Sequence, residues 1–165
     1  MTFINALDNL YGWFRKIAEW LQPPFLLAIR LYWGWQFWQT GTGKLSDISK
    51  VADFFTSLNI PMPVFNAYFV AYLETIGGLL LILGLGARLI SLPLVVNMIV
   101  AYVTADREAL KSIFSDQEKF YNAAPFTFLL ASLIIFLFGA GALSLDAVIQ
   151  WYVKKRKQAG ATSAA

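Results

Sequence analysis

Four long apolar stretches separated by polar loops fill most of the chain. Two of them carry an ionisable residue in mid-run, Arg30 in the first and Glu74 in the second. Hydrocarbon makes such groups expensive, about 2.5–3.5 kcal/mol each near the bilayer centre on insertion scales. Apolar helices that nevertheless contain them point to a polar site buried between helices. The stretches are continuous apolar runs, whereas the strands of a membrane barrel alternate residue by residue. A soluble domain of this size buries only about two thirds of its surface. With 58% hydrophobic and 14% charged residues, this chain has too little charge to cover the rest. The expected fold class is all-α, an integral membrane four-helix bundle with flanking amphipathic helices.

The spans are expected at about 24–40, 64–85, 88–103 and 122–142. At 1.5 Å per residue the first is slightly short, about 24 Å against a hydrocarbon core of about 30 Å. Residues 1–22 form an amphipathic helix suited to lying among headgroups, with Phe3, Leu7, Leu10, Phe14, Ile17 and Leu21 on one face. They lack the basic start, short apolar core and cleavage site of a signal peptide, so the segment is expected to be retained. Pro23-Pro24 then resets the chain direction. In the first loop, Ser46 or Asp47 caps a short helix that rests on the bundle as a lid, with Phe54, Phe55 and Leu58 on one side. Gly84 and Gly86 make a tight hairpin between the second and third spans. Ser144 caps a basic amphipathic helix over 143–158, and residues 159–165 read as a disordered tail.

An even number of spans puts both termini on one side of the membrane. That side carries seven basic residues (Arg15, Lys16, Arg88 and Lys154 to Lys157), and the other carries five (Lys44, Lys50, Arg107, Lys111 and Lys119). The bias favours cytoplasmic termini in a bacterial inner membrane. The net charge of +3 owes much to the cluster Lys154-Lys155-Arg156-Lys157. Placed after the last apolar segment, this cluster suits anionic lipid headgroups better than nucleic acid.

Arg30 lies about 9 Å into the first span, and Glu74 about 15 Å into the second, entered from the opposite face. They form either a bundle-locking ion pair or part of a pocket that binds a small ligand or carries protons. Asn97, a third polar group within an apolar run, either completes that pocket or bonds across helices. Tyr72 is the tyrosine placed to add a hydroxyl. Gly77 and Gly78 permit close helix contact. Trp33, Trp35 and Trp38 form an aromatic belt or a stacking surface for a flat ring such as a quinone.

The chain has no cysteine and no histidine. Within it, disulfides, thiolate or histidine metal sites, histidine-ligated haem and Ser-His-Asp triads are excluded. Gly84-Leu85-Gly86 lacks the strand–turn–helix setting of a phosphate loop. No catalytic set is legible, and no cofactor is expected to be held by the chain itself, quinone being the one candidate ligand.

Several short pieces fall in a fixed order: Leu27-Ala-Ile-Arg30-Leu31, Gly43-Lys44-Leu45, Glu74-Thr-Ile-Gly77-Gly78, Gly84-Leu-Gly-Ala-Arg88-Leu89 and Leu143-Ser-Leu-Asp146. In this order and spacing the chain resembles the DoxX family of small bacterial four-helix membrane proteins, over about residues 25–150. The resemblance marks Lys44, Gly77, Gly78, Arg88 and Asp146 as motif positions. It implies a membrane subunit of a redox complex, quinone-linked or serving thiol and oxidative stress, with redox proteins as partners. Many relatives carry a histidine in the first helix or before the Gly-Lys element, where this chain has Gln36 and Gln39. Two other functions remain open. One is a scaffold anchoring soluble partners. The other is a small proton-coupled transporter acting as an oligomer, a homodimer built about Gly77 and Gly78.

Overall fold

Small side chains recur along one stripe of the first long helix, and that stripe decides how the molecule packs. Leu26, Arg30, Gly34, Phe37 and Gly41 are all buried, at steps of three and four residues. A matching stripe follows Pro63, formed by Ala67, Ala71, Glu74, Gly78 and Leu81. Two helices with glycine and alanine facing each other can bring their backbones together. A Cβ at Gly78 would lie 2.5 Å from the carbonyl oxygen of Gly34 and from the amide of Trp38, and one at Gly41 would lie 2.8 Å from the carbonyl of Ala71.

The structure is a computed structural model that describes the backbone of residues 2–162 and the side chains of residues 7–158. Among these residues it is entirely helical. The elements are α1 (Thr2–Ser46), α2 (Ile48–Ser57), α3 (Pro63–Leu83), α4 (Ala87–Thr104), α5 (Arg107–Lys111), α6 (Gln117–Tyr121), α7 (Pro125–Phe138) and α8 (Leu145–Thr162). Helices α3 and α4 are long and apolar enough to cross a membrane, and α7 is a shorter apolar helix. Four helices pack in a ring, α1 on α3, α3 on α4, α4 on α7 and α7 on α1, with α2 laid against α3. The result is not a clean four-helix bundle, because four further helices cap or extend the ring. At its centre, Phe37, Leu81, Leu94, Met98 and Ile135 form the core.

Several boundaries differ from the sequence reading. Pro23 and Pro24 do not reset the chain, since α1 runs through both. They remove only the two bonds to the carbonyls of Glu19 and Trp20, where the flanking residues are exposed. At its other end α1 extends past Gln39 to Ser46 because its polar side chains bond back to their own helix. Thr40 donates to the carbonyls of Gln36 and Phe37 at 3.0 Å, and Thr42 to that of Trp38 at 2.8 Å. Helix α7 is shorter than the expected 122–142. It starts at Pro125 and stops where Gly139 turns to φ +81°. The tail is helical through Thr162, and residues 163–165, like the side chains of Phe3 and of 159–162, lie outside those described.

The hairpin and both predicted caps are present. Gly84 takes φ +66°, and the amide of Leu85 reaches back to the carbonyl of Leu80 at 3.0 Å, closing α3. Asp47 caps α2 by accepting from the amide of Lys50 at 3.2 Å. Ser144 caps α8 by accepting from that of Ala147 at 3.2 Å. In the cap beyond α4, Lys111 donates to Glu108 and holds that carboxyl below its ordinary range.

Candidate functional site

Glu74 lies in the buried stripe of α3 and is 2% exposed. A carboxylate so enclosed needs partners for both oxygens. Lys44, seven residues beyond Phe37 and three beyond Gly41 on the same face of α1, forms an ion pair with Oε2. Asn97, from α4, donates Nδ2–H to Oε1 at 3.0 Å. Three helices thus contribute one polar group each.

Above this triad lies a cavity of about 490 Å³. Its walls are largely apolar. Phe54 and Phe55 of α2 and Leu58 just beyond its end line it with Met98, Val100 and Ala101 of α4, and Phe128 of α7 closes the side. Thr40, Thr104 and Asp106 add polar atoms, and Lys44, Glu74 and Asn97 belong to the lining. The arrangement can hold a flat apolar ring against aromatic side chains. At the same time it offers that ring a carboxylate, an ammonium and an amide.

The sequence-predicted residues fall in two places. Glu74 and Asn97 come together. Arg30 and Tyr72 do not join them. Arg30 is 1% exposed, but its guanidinium packs against Gly84 and donates to the carbonyl of Leu143 at 2.6 Å. Gly84 lies ten residues from Glu74, about 15 Å along α3. Nε and Nη1 of Arg30 are buried without a partner. Tyr72 is exposed and stacks on Tyr68, because a step of two residues along a helix points to the opposite side from Glu74. Trp33, Trp35 and Trp38 are absent from the cavity wall. Trp33 packs edge-on to Phe128 at 5.0 Å, and Trp35 meets Trp38 at 4.8 Å.

Gly77 and Gly78 are buried within one chain, against α4 and α1 respectively, so the face proposed for a dimer is already occupied. Arg88 donates to the carbonyl of Leu137 at 3.1 Å. Asp146 accepts from the amides of Gly86 and Ala87 at 2.8 and 3.0 Å, so a side chain of α8 caps α4. These bonds, with that of Arg30, tie the α7–α8 linker to the α3–α4 hairpin at the end of the molecule away from the cavity.

Lys44 as the partner of Glu74 and the phenylalanines of the wall escaped the sequence reading of the site. The signal for Lys44 was its place in register with Arg30, Phe37 and Gly41, once α1 is carried to Ser46. Among the described residues no group of three His, Cys, Asp or Glu side chains comes together to hold a metal ion.

A family model described as DoxX matches residues 25–107, a stretch that contains Arg30, Lys44, Glu74 and Asn97. The chain is 31% identical over 138 residues to a Bacillus subtilis (strain 168) protein described as "Putative oxidoreductase CatD", covering 84% of this chain and 93% of that one. No solved structure matches. The chain belongs to the DoxX family, as a multi-pass membrane protein associated by its relative's name with oxidoreductases.

Proposed function

We propose that this chain is the membrane subunit of a redox complex, and that it holds a lipophilic ring of the quinone class in the cavity above Glu74. The observation that carries this reading is a buried carboxylate, with its ammonium and amide partners, at the end of an apolar cavity lined by three phenylalanines. Pockets of a few hundred Å³ with apolar walls and a few convergent polar groups suit small lipophilic ligands. The relative's printed description as an oxidoreductase supports a redox setting. With no cysteine or histidine in the sequence, an iron–sulfur cluster or histidine-ligated haem in such a complex belongs to a partner chain.

In this reading the bundle crosses the inner membrane four times, by α1 beyond Pro24, α3, α4 and α7. Both termini lie in the cytoplasm, and the cavity opens towards the opposite face. The test is purification in mild detergent followed by mass spectrometry of co-eluting proteins and lipophilic molecules. The expected result is a quinone and a redox protein, with the quinone lost in Glu74→Gln. Recovery of partners without any quinone, unchanged by Glu74→Gln, contradicts it and favours a scaffold.

A further inference from the structure

The cavity offers hydrogen-bond acceptors in excess of donors, and that bias selects one redox form of its ligand. Glu74 accepts only. Two of its roughly four lone-pair sites are taken by Lys44 and Asn97, and the others remain. Asn97 spends one of its two N–H bonds on Glu74, which fixes its amide and leaves one N–H donor against the two lone pairs of Oδ1. Thr40 and Thr104 line the cavity, but both hydroxyl hydrogens go to carbonyls of their own helices. They therefore present lone pairs. Asp106 adds a second carboxylate at the rim. The amide of Asn66 is turned to the carbonyl of Pro61 at 2.6 Å. Lys44 is the one cation of the lining, against two carboxylates.

A ring bearing carbonyl oxygens can accept from Lys44 but sets its lone pairs against those of Glu74. A ring bearing hydroxyls donates to Glu74 and still accepts from Lys44. The remaining charge, two carboxylates against one ammonium, also disfavours an anionic ligand.

Resting on the quinone-class reading above, we infer that the site recognises the reduced, dihydroxy form of the ring in preference to the oxidised dicarbonyl form, through the Glu74 carboxylate. One hydrogen bond to a charged group supports a preference of about tenfold or more.

The test uses the full chain in nanodiscs and measures equilibrium binding of decylubiquinol, decylubiquinone and the dimethyl ether of decylubiquinol, which keeps the ring but has no O–H. The quinol is expected to bind about tenfold tighter than either of the others. Glu74→Gln is expected to bring the quinol and quinone within about threefold of each other. The ether comparison needs no variant, so the inference stands or falls even where Glu74→Gln fails to fold. Equal or tighter binding of the quinone, or of the ether, overturns the preference while leaving a ring site. No saturable binding of any of the three overturns the ring site, and the preference with it.

Discussion

Among the described residues, Glu74 and Arg30 are the two charges that the bundle encloses, and they are held in different ways. Both oxygens of Glu74 are met by side chains, whereas Arg30 keeps one strong bond to a carbonyl and two buried nitrogens without partners. The glycine at position 84 is what gives the guanidinium room. A Cβ there would overlap it, with Cζ at 2.8 Å, and the backbone is already left-handed. Gly84→Ala is therefore expected to destabilise the protein by about 2–4 kcal/mol, the sum of a left-handed alanine and an overpacked contact. In an Arg30→Met background the guanidinium's share of the clash is relieved while the contact with the Cβ of Ser144 at 2.7 Å stays, so the same substitution should cost about 1 kcal/mol less. Denaturant unfolding of the four members of the cycle in detergent measures this coupling. Additive costs would mean that the guanidinium sets no steric demand at Gly84, leaving the turn and the contact with Ser144 as its reasons.

At the scale of the elements, close backbone contact orders the glycines. A Cβ at Gly78 meets main-chain atoms of α1, but one at Gly77 meets only the side chains of Leu94 and Ile90 at 3.2–3.3 Å. Backbone cannot yield without moving a helix, whereas a leucine can change rotamer. Gly78→Ala should thus lower stability by about 2–3 kcal/mol and Gly77→Ala by about 1 kcal/mol or less, again by unfolding in detergent. Asp146→Ala removes the acceptor for two amides of the hairpin and should cost about 1–3 kcal/mol. It should also expose the linker between α7 and α8 to protease first, since Asp146 is part of what holds α8 in place.

Much of this was legible in the residues. The apolar runs gave α3 and α4 nearly to their ends, Gly84 and Gly86 gave the turn, and Asp47 and Ser144 gave the caps. The partner of Glu74 was not legible. Thr40-Gly-Thr-Gly-Lys44 reads by composition as loop, yet its threonines satisfy themselves on the preceding turn and the helix continues. Lys44 then reaches a carboxylate for which the sequence offered Arg30 as one partner, the pairing itself being left open. The joining of the hairpin to Asp146, 60 residues away, is a tertiary fact that no local pattern carries.

On the scale of the whole molecule, the two ends of the bundle do different jobs. One end ties hairpin, linker and α8 together through Arg30, Arg88 and Asp146. The other holds the cavity and its covering helix α2. Two helical arms leave the tied end. The side chains described between Leu7 and Leu21 are nearly all exposed, and so are Trp151 and Tyr152 beside Lys154 to Lys157. Such faces suit a headgroup layer, with the lysines against anionic lipid. Topology can be tested directly, because the chain has no native cysteine. A membrane-impermeant maleimide applied to intact cells should label Ser115→Cys and leave Lys157→Cys unlabelled until the membrane is opened. The reverse pattern would place the cavity mouth on the cytoplasmic side.

The most direct measurement of the site itself is photolabelling. An azido-quinone incorporated with the protein into nanodiscs, irradiated and mapped by peptide mass spectrometry, should leave its adducts on Phe54, Phe55, Met98 and Ala101. Excess unlabelled ring should compete them away, and Glu74→Gln should weaken them. Adducts spread evenly over the lipid-facing residues of α3 and α4, and unaffected by competition or by Glu74→Gln, would contradict a ring held above Glu74.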